Sequence, residues 1–450
     1  MKPRPPLPPG PFLVVGLARS GVAAAQALRA RGEQVIGCDL GSDRSSVLRE
    51  AAQRLSRAGV EVHLDASGDA LAARAGTLIK SPGVPQHAAV VSAARARGLP
   101  VLGELELAWR LLPNEFVAVT GTNGKTTTTE WIGHIHREAG AAVAVAGNVG
   151  IAASSLVGQL DPQATVVCEA SSFQLEDTEA FAPEVAVLLN LSVDHLDRHG
   201  SVEQYLAAKL RMFANQSGDD VAVVPDLDSL ELPVGEFGGQ AERVVFGAQP
   251  GAALRERDGS LWWRGEPLLP LDEISLPGAH NRQNAMAAAA ACLARGLHRG
   301  AVARGLRSFR GVAHRLESVA VKQGVAYVND SKATNVGSTL VALQAYSDGV
   351  HLIAGGRSKQ QDFAPLAPLV SERCVAAYLI GEAALELGTA LAGTGVQLYA
   401  LRNLERAVAA ASAAARPGEV VLLSPACASY DQYRDFEQRG EHFRALVEAL

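Results

Sequence analysis

The stretch VTGTNGKTTTTEW, residues 119–131, constrains this chain more than any other feature of its sequence. The apolar residues 116–119 lead into it and read as a buried strand. Helical spacing runs from 126 to 138, with Trp131, Ile132 and Ile135 as its apolar members. A strand, a glycine loop and a helix N-terminus form a nest for an anion: backbone N–H groups converge, and the helix dipole adds partial positive charge. In that frame Gly121, Thr122, Asn123 and Gly124 wrap phosphate oxygens and Lys125 reaches the outer phosphates. The Thr126 hydroxyl, followed by Thr127, meets a magnesium ion. Val119 stands where the standard phosphate-loop pattern has glycine, so the loop is a short variant.

Apolar runs of strand length alternate with helical stretches on both sides of this loop. Residues 11–16, 33–39 and 77–81 read as strands before it, and a helix over 102–112 closes that section at Pro113 and Asn114. Strands at 141–147, 164–170 and 184–192 follow the loop. Between 220 and 275 short runs split by Gly, Pro and Asp suggest a small β-rich appendage with hairpins, and a helix over 279–296 succeeds it. From His314 onward strands at 325–330, 349–356, 375–381 and 418–425 alternate with alanine-rich helices. The pattern predicts an α/β protein of three domains, each with a mainly parallel sheet. They are a Rossmann-like domain over 1–113, a P-loop ATPase-like domain with the β appendage over 114–313, and a Rossmann-like domain over 314–450. Ligands should collect in loops at the carboxyl ends of strands.

Composition narrows the function classes. The chain has 450 residues, 48% hydrophobic and 20% charged, which suits a globular enzyme rather than a disordered chain. A net charge of −6 gives no general attraction to nucleic acid or an anionic membrane. No apolar run approaches the roughly 18 residues of a membrane span, and the opening MKPRPPLPPGPF lacks a signal peptide's apolar core. It reads as a short flexible lead-in. Cys38, Cys168, Cys292, Cys374 and Cys427 lie far apart without metal-type spacing, and buried reduced thiols in a cytosol are the expectation.

Several other loops carry polar groups after a strand. Gly16, Leu17, Ala18, Arg19, Ser20 and Gly21 approach the dinucleotide fingerprint, with Asp39 standing 18 residues beyond Gly21, but Ala18 replaces the middle glycine. A nicotinamide site and a nucleotide or diphosphate site both fit. Ser81 follows another strand and either adds a hydroxyl to that crevice or makes a plain turn. Glu169 ends a strand beside the phosphate loop, placed to bind magnesium or to cap the following turn. Asp194, His195 and Asp197 follow the next strand, and a metal or phosphate role is read for His195. Lys209 sits on an amphipathic helix where spacing alone favours a solvated lysine. Near the C-terminus, NDSKATN (329–335), GGRSKQQDF with Lys359, and SPACASYDQYRDFEQRG with Ser429 and Phe436 suggest a binding mouth, and Arg315 stands at the preceding junction.

Taken in order, GTNGKTTT, EASSFQLE, NLSVDHLDRH, YLAAKLR, HNRQNAMAA, HRLE, NDSKATN, GGRSK and LSPACASYDQYRDFEQRG resemble the motif series of the Mur ligases, ATP-dependent amide ligases of peptidoglycan precursor synthesis. The series spans about residues 12–444. GTNGKT alone does not separate these from folylpolyglutamate synthases; the loops around Asp330 and Ser429 point to the member that joins D-glutamate to UDP-N-acetylmuramoyl-L-alanine. The resemblance implies ATP and two magnesium ions as cofactors, no nicotinamide, and a cytoplasmic monomer without nucleic-acid or membrane partners. It implies UDP-substrate contacts from Leu17, Ala18, Arg19, Asp39, Ser81, Asn148 and His195. It assigns Asn281, Arg315 and Asp330 to ATP together with residues 121–127, and Lys332, Thr334, Lys359, Ser429 and Phe436 to D-glutamate. Lys125, His195 and Lys209 would be catalytic; Thr126, Glu169, His195 and Lys209, the last as a carbamate, would hold metal.

Overall fold

A computed structural model describes residues 2–42, 46–148, 150–194, 196–232, 234, 237–358 and 361–450, the side chains of residues 46, 47, 196 and 197 excepted. The chain divides into two compact units, Met1–Phe309 and Arg310–Leu450. Three sheets run through them, two in the first unit and one in the second.

The first sheet is all parallel. Its strands lie in the order Glu61–His63, Val35–Cys38, Phe12–Val15, Thr77–Lys80 and Val101–Gly103. Phe12–Val15 and Val35–Cys38 are buried along their whole length, which is why they read as unbroken apolar runs rather than alternating ones. The chain winds first to one side of Phe12–Val15 and then to the other, so the loop after that strand lies at the point where strand order reverses, the usual crevice for a ligand. Gly16 there has φ +84°, and a Cβ on Gly21 would fall 1.9 Å from the Gly16 carbonyl oxygen. The two outer glycines of the fingerprint are thus required by backbone geometry.

The central sheet has nine strands, ordered Glu266–Pro270, Ser260–Trp263, Leu254–Arg257, Glu242–Gly247, Val221–Pro225, Val185–Leu188, Phe116–Thr120, Thr165–Glu169 and Val143–Gly147. The expected appendage proves to be continuous with this sheet. Val221–Pro225, Glu242–Gly247 and Leu254–Arg257 extend its parallel part, and only the final two ladders are antiparallel. Those two ladders, Leu254–Arg257 with Ser260–Trp263 and Ser260–Trp263 with Glu266–Pro270, are the expected hairpins; turn residues between short runs do not set them apart from the parallel strands before them. The helix Lys125–Glu138 packs against the helices Ala279–Ala294 and Arg299–Ser308, with Trp131 stacked on Phe309 at 4.7 Å.

The N-terminal segment is not a flexible lead-in. Lys2 Nζ donates to the Ala182 carbonyl (3.2 Å) and pairs with Asp220 (2.5 Å). The Arg4 guanidinium lies 4.4 Å from the Trp109 ring centroid and 3.0 Å from Glu184. Arg110 donates to the Pro6 carbonyl and Thr77 to that of Pro9. The proline-rich segment therefore runs as a strap from the central sheet to the first sheet. Prolines leave little backbone entropy to lose, so a few side-chain anchors suffice to hold it.

The second unit carries six strands ordered Glu317–Lys322, Val325–Asn329, Val420–Leu423, Val350–Gly355, Cys374–Ile380 and Gln397–Ala400. The first pair is antiparallel and the rest are parallel. Cys38, Cys168, Cys292 and Cys427 are buried and Cys374 is half-buried, and no disulfide joins any two of them among the described residues. No helix among the described residues is long and apolar enough to cross a membrane.

Candidate functional site

Register in the central sheet brings the phosphate loop and two polar loops together. Phe116–Thr120 lies between Thr165–Glu169 and Val185–Leu188, with Val119 opposite Glu169 and Thr120 opposite Leu188. The carboxyl ends of three adjacent strands thus present residues 121–124, Glu169 and Asn190 side by side. Gly121 (φ +151°) and Gly124 (φ +83°) adopt backbone conformations that L side chains rarely take, and Gly124 is the residue that begins the helix Lys125–Glu138. Thr122 N–H donates to the Asn190 carbonyl and Asn123 N–H to the Asn190 side chain. Lys125 Nζ donates to the Gly121 and Thr122 carbonyls at 2.9 and 2.8 Å, folded over the loop it would serve. Thr127 lies one step along the helix and is half-buried.

Thr126 Oγ1 donates to Glu169 Oε2 at 2.6 Å, and both side chains are buried. Asn148 Nδ2 donates to the other Glu169 oxygen at 2.9 Å, and Asn148 N–H to the Glu169 carbonyl. Lys209 is not a solvated lysine. It is 2% exposed, its Nζ donates to the Gly121 carbonyl at 2.7 Å, and it lies 4.7 Å from the Tyr205 ring centroid. Burial, reinforced by the Lys125 charge, pulls its pKa down to about 7 against the opposing fields of Asp194 and Glu169. Spacing on the helix Val202–Ala214 could not reveal this, because the turn's apolar neighbours bury one face without showing what that face meets. His195 lies outside the described residues.

Three residues at this site were missed from sequence. Asn190 pins the loop, and Tyr205 shares a hydrogen bond with Thr122 (2.8 Å). Asn284, buried on the helix Ala279–Ala294, crowds Gly124 so closely that a Cβ there would sit 2.2 Å from its Oδ1. Asn281, expected near the nucleotide, lies half-buried at the start of that helix, donating to the Pro277 carbonyl. The periodicity i, i+3 that joins Asn281 and Asn284 was the available signal.

In the first sheet Leu17, Asp39 and Ser81 gather around Gly16. Asp39 accepts from the Leu17 N–H (2.6 Å) and the Gly41 N–H (2.7 Å), and Ser81 Oγ donates to the Gly16 carbonyl (2.7 Å). Ser81 is therefore part of the crevice and not a detached turn. Ala18 precedes the helix Arg19–Ala30, and Arg19 Nη2 donates to the Asn148 carbonyl at 2.9 Å.

The second unit joins its polar loops in the same way, since Val325–Asn329, Val420–Leu423 and Val350–Gly355 are adjacent and parallel. Asp330 is buried; it accepts from Ser424 Oγ (2.8 Å) and the Leu316 N–H (3.1 Å). Burial pushes its pKa up to about 7 despite those bonds and the Arg315 and Lys332 charges. Arg315 is exposed. Lys332 N–H donates to the His314 carbonyl and Thr334 N–H to that of Lys332. Arg439, unnoticed in the sequence, ties the loops: Nε donates to Ser331 Oγ and Nη2 to the Ser331 carbonyl (2.9 Å each), with further bonds to the Cys427 and Gly355 carbonyls. Ser429 is buried, Phe436 begins the helix Phe436–Glu448 and accepts from Ser331 Oγ, and Lys359 lies outside the described residues.

The sequence that builds this geometry matches known proteins over nearly its whole length. Residues 119–292 match the model of the Mur ligase middle domain and residues 314–427 that of the Mur ligase glutamate ligase domain. The chain belongs to the Mur ligase family. A relative from Acidobacterium capsulatum, named UDP-N-acetylmuramoylalanine–D-glutamate ligase, is 43% identical over 445 residues, covering 97% of this chain and 95% of the relative. A protein of the same name from Pelotomaculum thermopropionicum is 41% identical, with 97% of each chain covered. Among solved structures, the UDP-N-acetylmuramate-alanine ligase MurC of Thermotoga maritima superposes with a TM-score of 0.58 at 21% identity, covering 98% of this chain and all of that one. E. coli FolC in complex with DHPP and ADP does so at 0.52 and 19%, covering 76% of this chain and 91% of that one. At such identities the likeness is one of fold.

Proposed function

We propose that this protein joins D-glutamate to UDP-N-acetylmuramoyl-L-alanine at the expense of ATP, a cytoplasmic step of peptidoglycan precursor synthesis carried out by a monomer. The observation that carries the chemistry is the buried Thr126–Glu169 pair beside Lys125 and Lys209, at the carboxyl ends of adjacent strands. The substrates are those in the names of relatives about 40% identical over nearly the whole chain.

A free carboxylate does not accept an amine in water, so it must first be activated. ATP transfers its terminal phosphoryl group to the alanyl carboxylate, giving an acyl phosphate and ADP. The D-glutamate amine attacks the acyl carbon, and phosphate departs from the tetrahedral intermediate. The N–H groups of residues 121–127 and the Lys125 ammonium take the charge that builds on phosphoryl oxygens. Thr126 and Glu169 present a hydroxyl and a carboxylate oxygen 2.6 Å apart, the hard oxygen donors that suit magnesium. They would hold it with His195 and with Lys209 as its carbamate, two ions in all, and bound magnesium would neutralise phosphoryl charge. A buried Lys209 amine with a pKa near 7 is largely neutral and nucleophilic at physiological pH, the form that carbamylation needs. Leu17, Ala18, Arg19, Asp39, Ser81, Asn148 and His195 are assigned to the UDP substrate, and Asn281, Arg315 and Asp330 to ATP. Lys332, Thr334, Lys359, Ser429 and Phe436 are assigned to D-glutamate. The test is phosphate release from ATP, expected only when UDP-N-acetylmuramoyl-L-alanine and D-glutamate are both present. Release that ignores the identity of the amino acid, or that needs a folate acceptor, overturns the assignment.

A further inference from the structure

Two sites in the first unit are joined by an unbroken set of hydrogen bonds. Arg19, the first residue of the helix after the Gly16–Gly21 loop, donates from Nη2 to the Asn148 carbonyl at 2.9 Å. Asn148 Nδ2 donates to Glu169 Oε1 at 2.9 Å, and Glu169 Oε2 accepts from Thr126 at 2.6 Å. The turn that carries Asn148 has little freedom. Gly147 (φ +114°) lies so close to the neighbouring strand that a Cβ would come within 2.3 Å of the Glu169 carbonyl oxygen. Gly147 N–H donates to the Ile151 carbonyl, and Asn148 N–H to the Glu169 carbonyl. A pull on the Asn148 carbonyl is therefore felt by its side-chain amide, because backbone and side chain are tied to the same residue, Glu169.

We propose that Arg19 is a positioning residue which couples occupancy of the nucleotide-sugar crevice to readiness of the phosphate loop, acting through Asn148 on Glu169 and Thr126. It rests on the function proposed above. A guanidinium has five N–H donors in a fixed fork, and one nitrogen of Arg19 is engaged with Asn148. The side chain is exposed, so its other donors are open to the diphosphate of a UDP substrate in the crevice at residues 16–21. A diphosphate taken by those donors immobilises the fork and with it the Asn148 turn. The ordering cost of the phosphate loop's acid–hydroxyl pair is then met before ATP arrives, and the two ligands bind with positive cooperativity. Nearby, Glu104 is fully buried; its Oε1 accepts from the Ser154 N–H, and its Oε2 has no hydrogen-bond partner among the described residues. Burial raises the pKa of that carboxyl, against the smaller opposing effect of the Arg19 charge.

The test is calorimetric titration of the full-length protein with UDP-N-acetylmuramoyl-L-alanine, with and without a β,γ-imido analogue of ATP. In the unaltered protein the analogue should tighten substrate binding about fivefold or more, the low end of typical coupling. In Arg19→Leu the ratio should fall to within about twofold of one, with Arg19→Lys intermediate, and the analogue's own affinity should respond to Arg19→Leu less in an Asn148→Ala background than alone. A merely structural role for Arg19 would lower melting temperature without moving the ratio. If Arg19→Leu weakens substrate alone and leaves the ratio and the double-mutant cycle additive, Arg19 is an ordinary contact and the coupling is refuted. An unaltered protein that binds both ligands independently refutes it too. One that binds neither ligand sinks the proposed function with it.

Discussion

The phosphate loop at 121–124 and the acidic loop at 329–335 both follow a strand, yet they are held in opposite ways. The first is held by backbone. Two glycines supply its shape, the Thr122 and Asn123 N–H groups donate to Asn190, and Lys125 Nζ donates to the Gly121 and Thr122 carbonyls. The second contains no glycine and is held by side chains: Asn329, Asp330 and Ser331 are buried, and Ser424, His314 and Arg439 fasten them. Apart from the Thr122 hydroxyl, which meets Tyr205 and Ser192, the hydrogen bonds that hold the first loop run through its backbone. A loop that must hold a carboxylate in a buried place makes function and stability draw on the same atoms. The contrast predicts that substitutions in the first loop lose activity at little cost in stability, and that in the second the two change together.

Lys125→Ala is expected to have the largest effect. It should lower kcat about 10³-fold or more, on the order of 4 kcal/mol of transition-state stabilisation. The melting temperature should stay within about 2 °C of the parent, since the bonds to the Gly121 and Thr122 carbonyls come from a half-buried side chain whose place water can take. A variant with normal turnover would remove the phosphate-loop role, and one that failed to fold would remove the contrast between the loops.

Arg439→Met should be next, this time in stability. The substitution removes the guanidinium's bonds to the Ser331, Cys427 and Gly355 carbonyls in a place 1% exposed to solvent, at a cost of about 3 kcal/mol. Urea titration read on the second unit should show an earlier midpoint, together with a raised KM for D-glutamate. An unchanged midpoint would mean that the loops hold one another without Arg439.

How far each loop could be read in advance follows from the same difference. The phosphate loop was legible because its determinants are local: glycines, lysine and threonine within seven residues, flanked by a strand and a helix. The Gly16–Gly21 crevice was legible for the same reason, down to the missing middle glycine. Arg439 stands 108 residues from Ser331, and nothing in the local spacing shows that they meet. Lys209 was misread because the group that buries it, the Gly121 carbonyl, is 88 residues away. The strap was misread because proline-rich composition signals flexibility only where no partner surface exists, and Glu184 and Asp220 supply one. Spacing could not show that Lys209 is buried; the resemblance to a family is what drew attention to it.

Asp330→Asn sharpens the contrast by changing sign. A carboxyl whose pKa is raised from 3.8 to about 7 keeps its proton in the folded protein while the unfolded chain releases it. Stability therefore falls as pH rises from about 4 to about 7 and stays reduced above that. The amide carries no such penalty, and the Ser424 hydroxyl can turn to accept from it. At pH 8 the variant should be more stable by about 2 kcal/mol, half of what a three-unit shift would give at full strength. At pH 4 it should show no gain, and ATP turnover should fall at every pH. A gain independent of pH would mean that Asp330 is not protonated in the native protein.

Gly124→Ala should have the smallest effect, and it tests whether the phosphate loop depends on its glycines as closely as its dihedrals imply. The added Cβ meets two obstacles. The backbone φ of +83° costs an alanine about 1 kcal/mol. The other obstacle is Asn284 Oδ1, 2.2 Å away, which is the end of a side chain that can rotate aside. Gly21 differs, because its Cβ would strike the backbone oxygen of Gly16 at 1.9 Å and nothing there can rotate. Gly124→Ala should therefore fold, lose about 1 kcal/mol, and raise the KM for ATP about tenfold as the shifted Asn284 and tilted N–H groups spoil the nest. Asn284→Ala in the same chain opens the space and should recover part of the stability but not the KM, since the strained φ remains. Full recovery of both would make Asn284 the only cause and the left-handed turn dispensable.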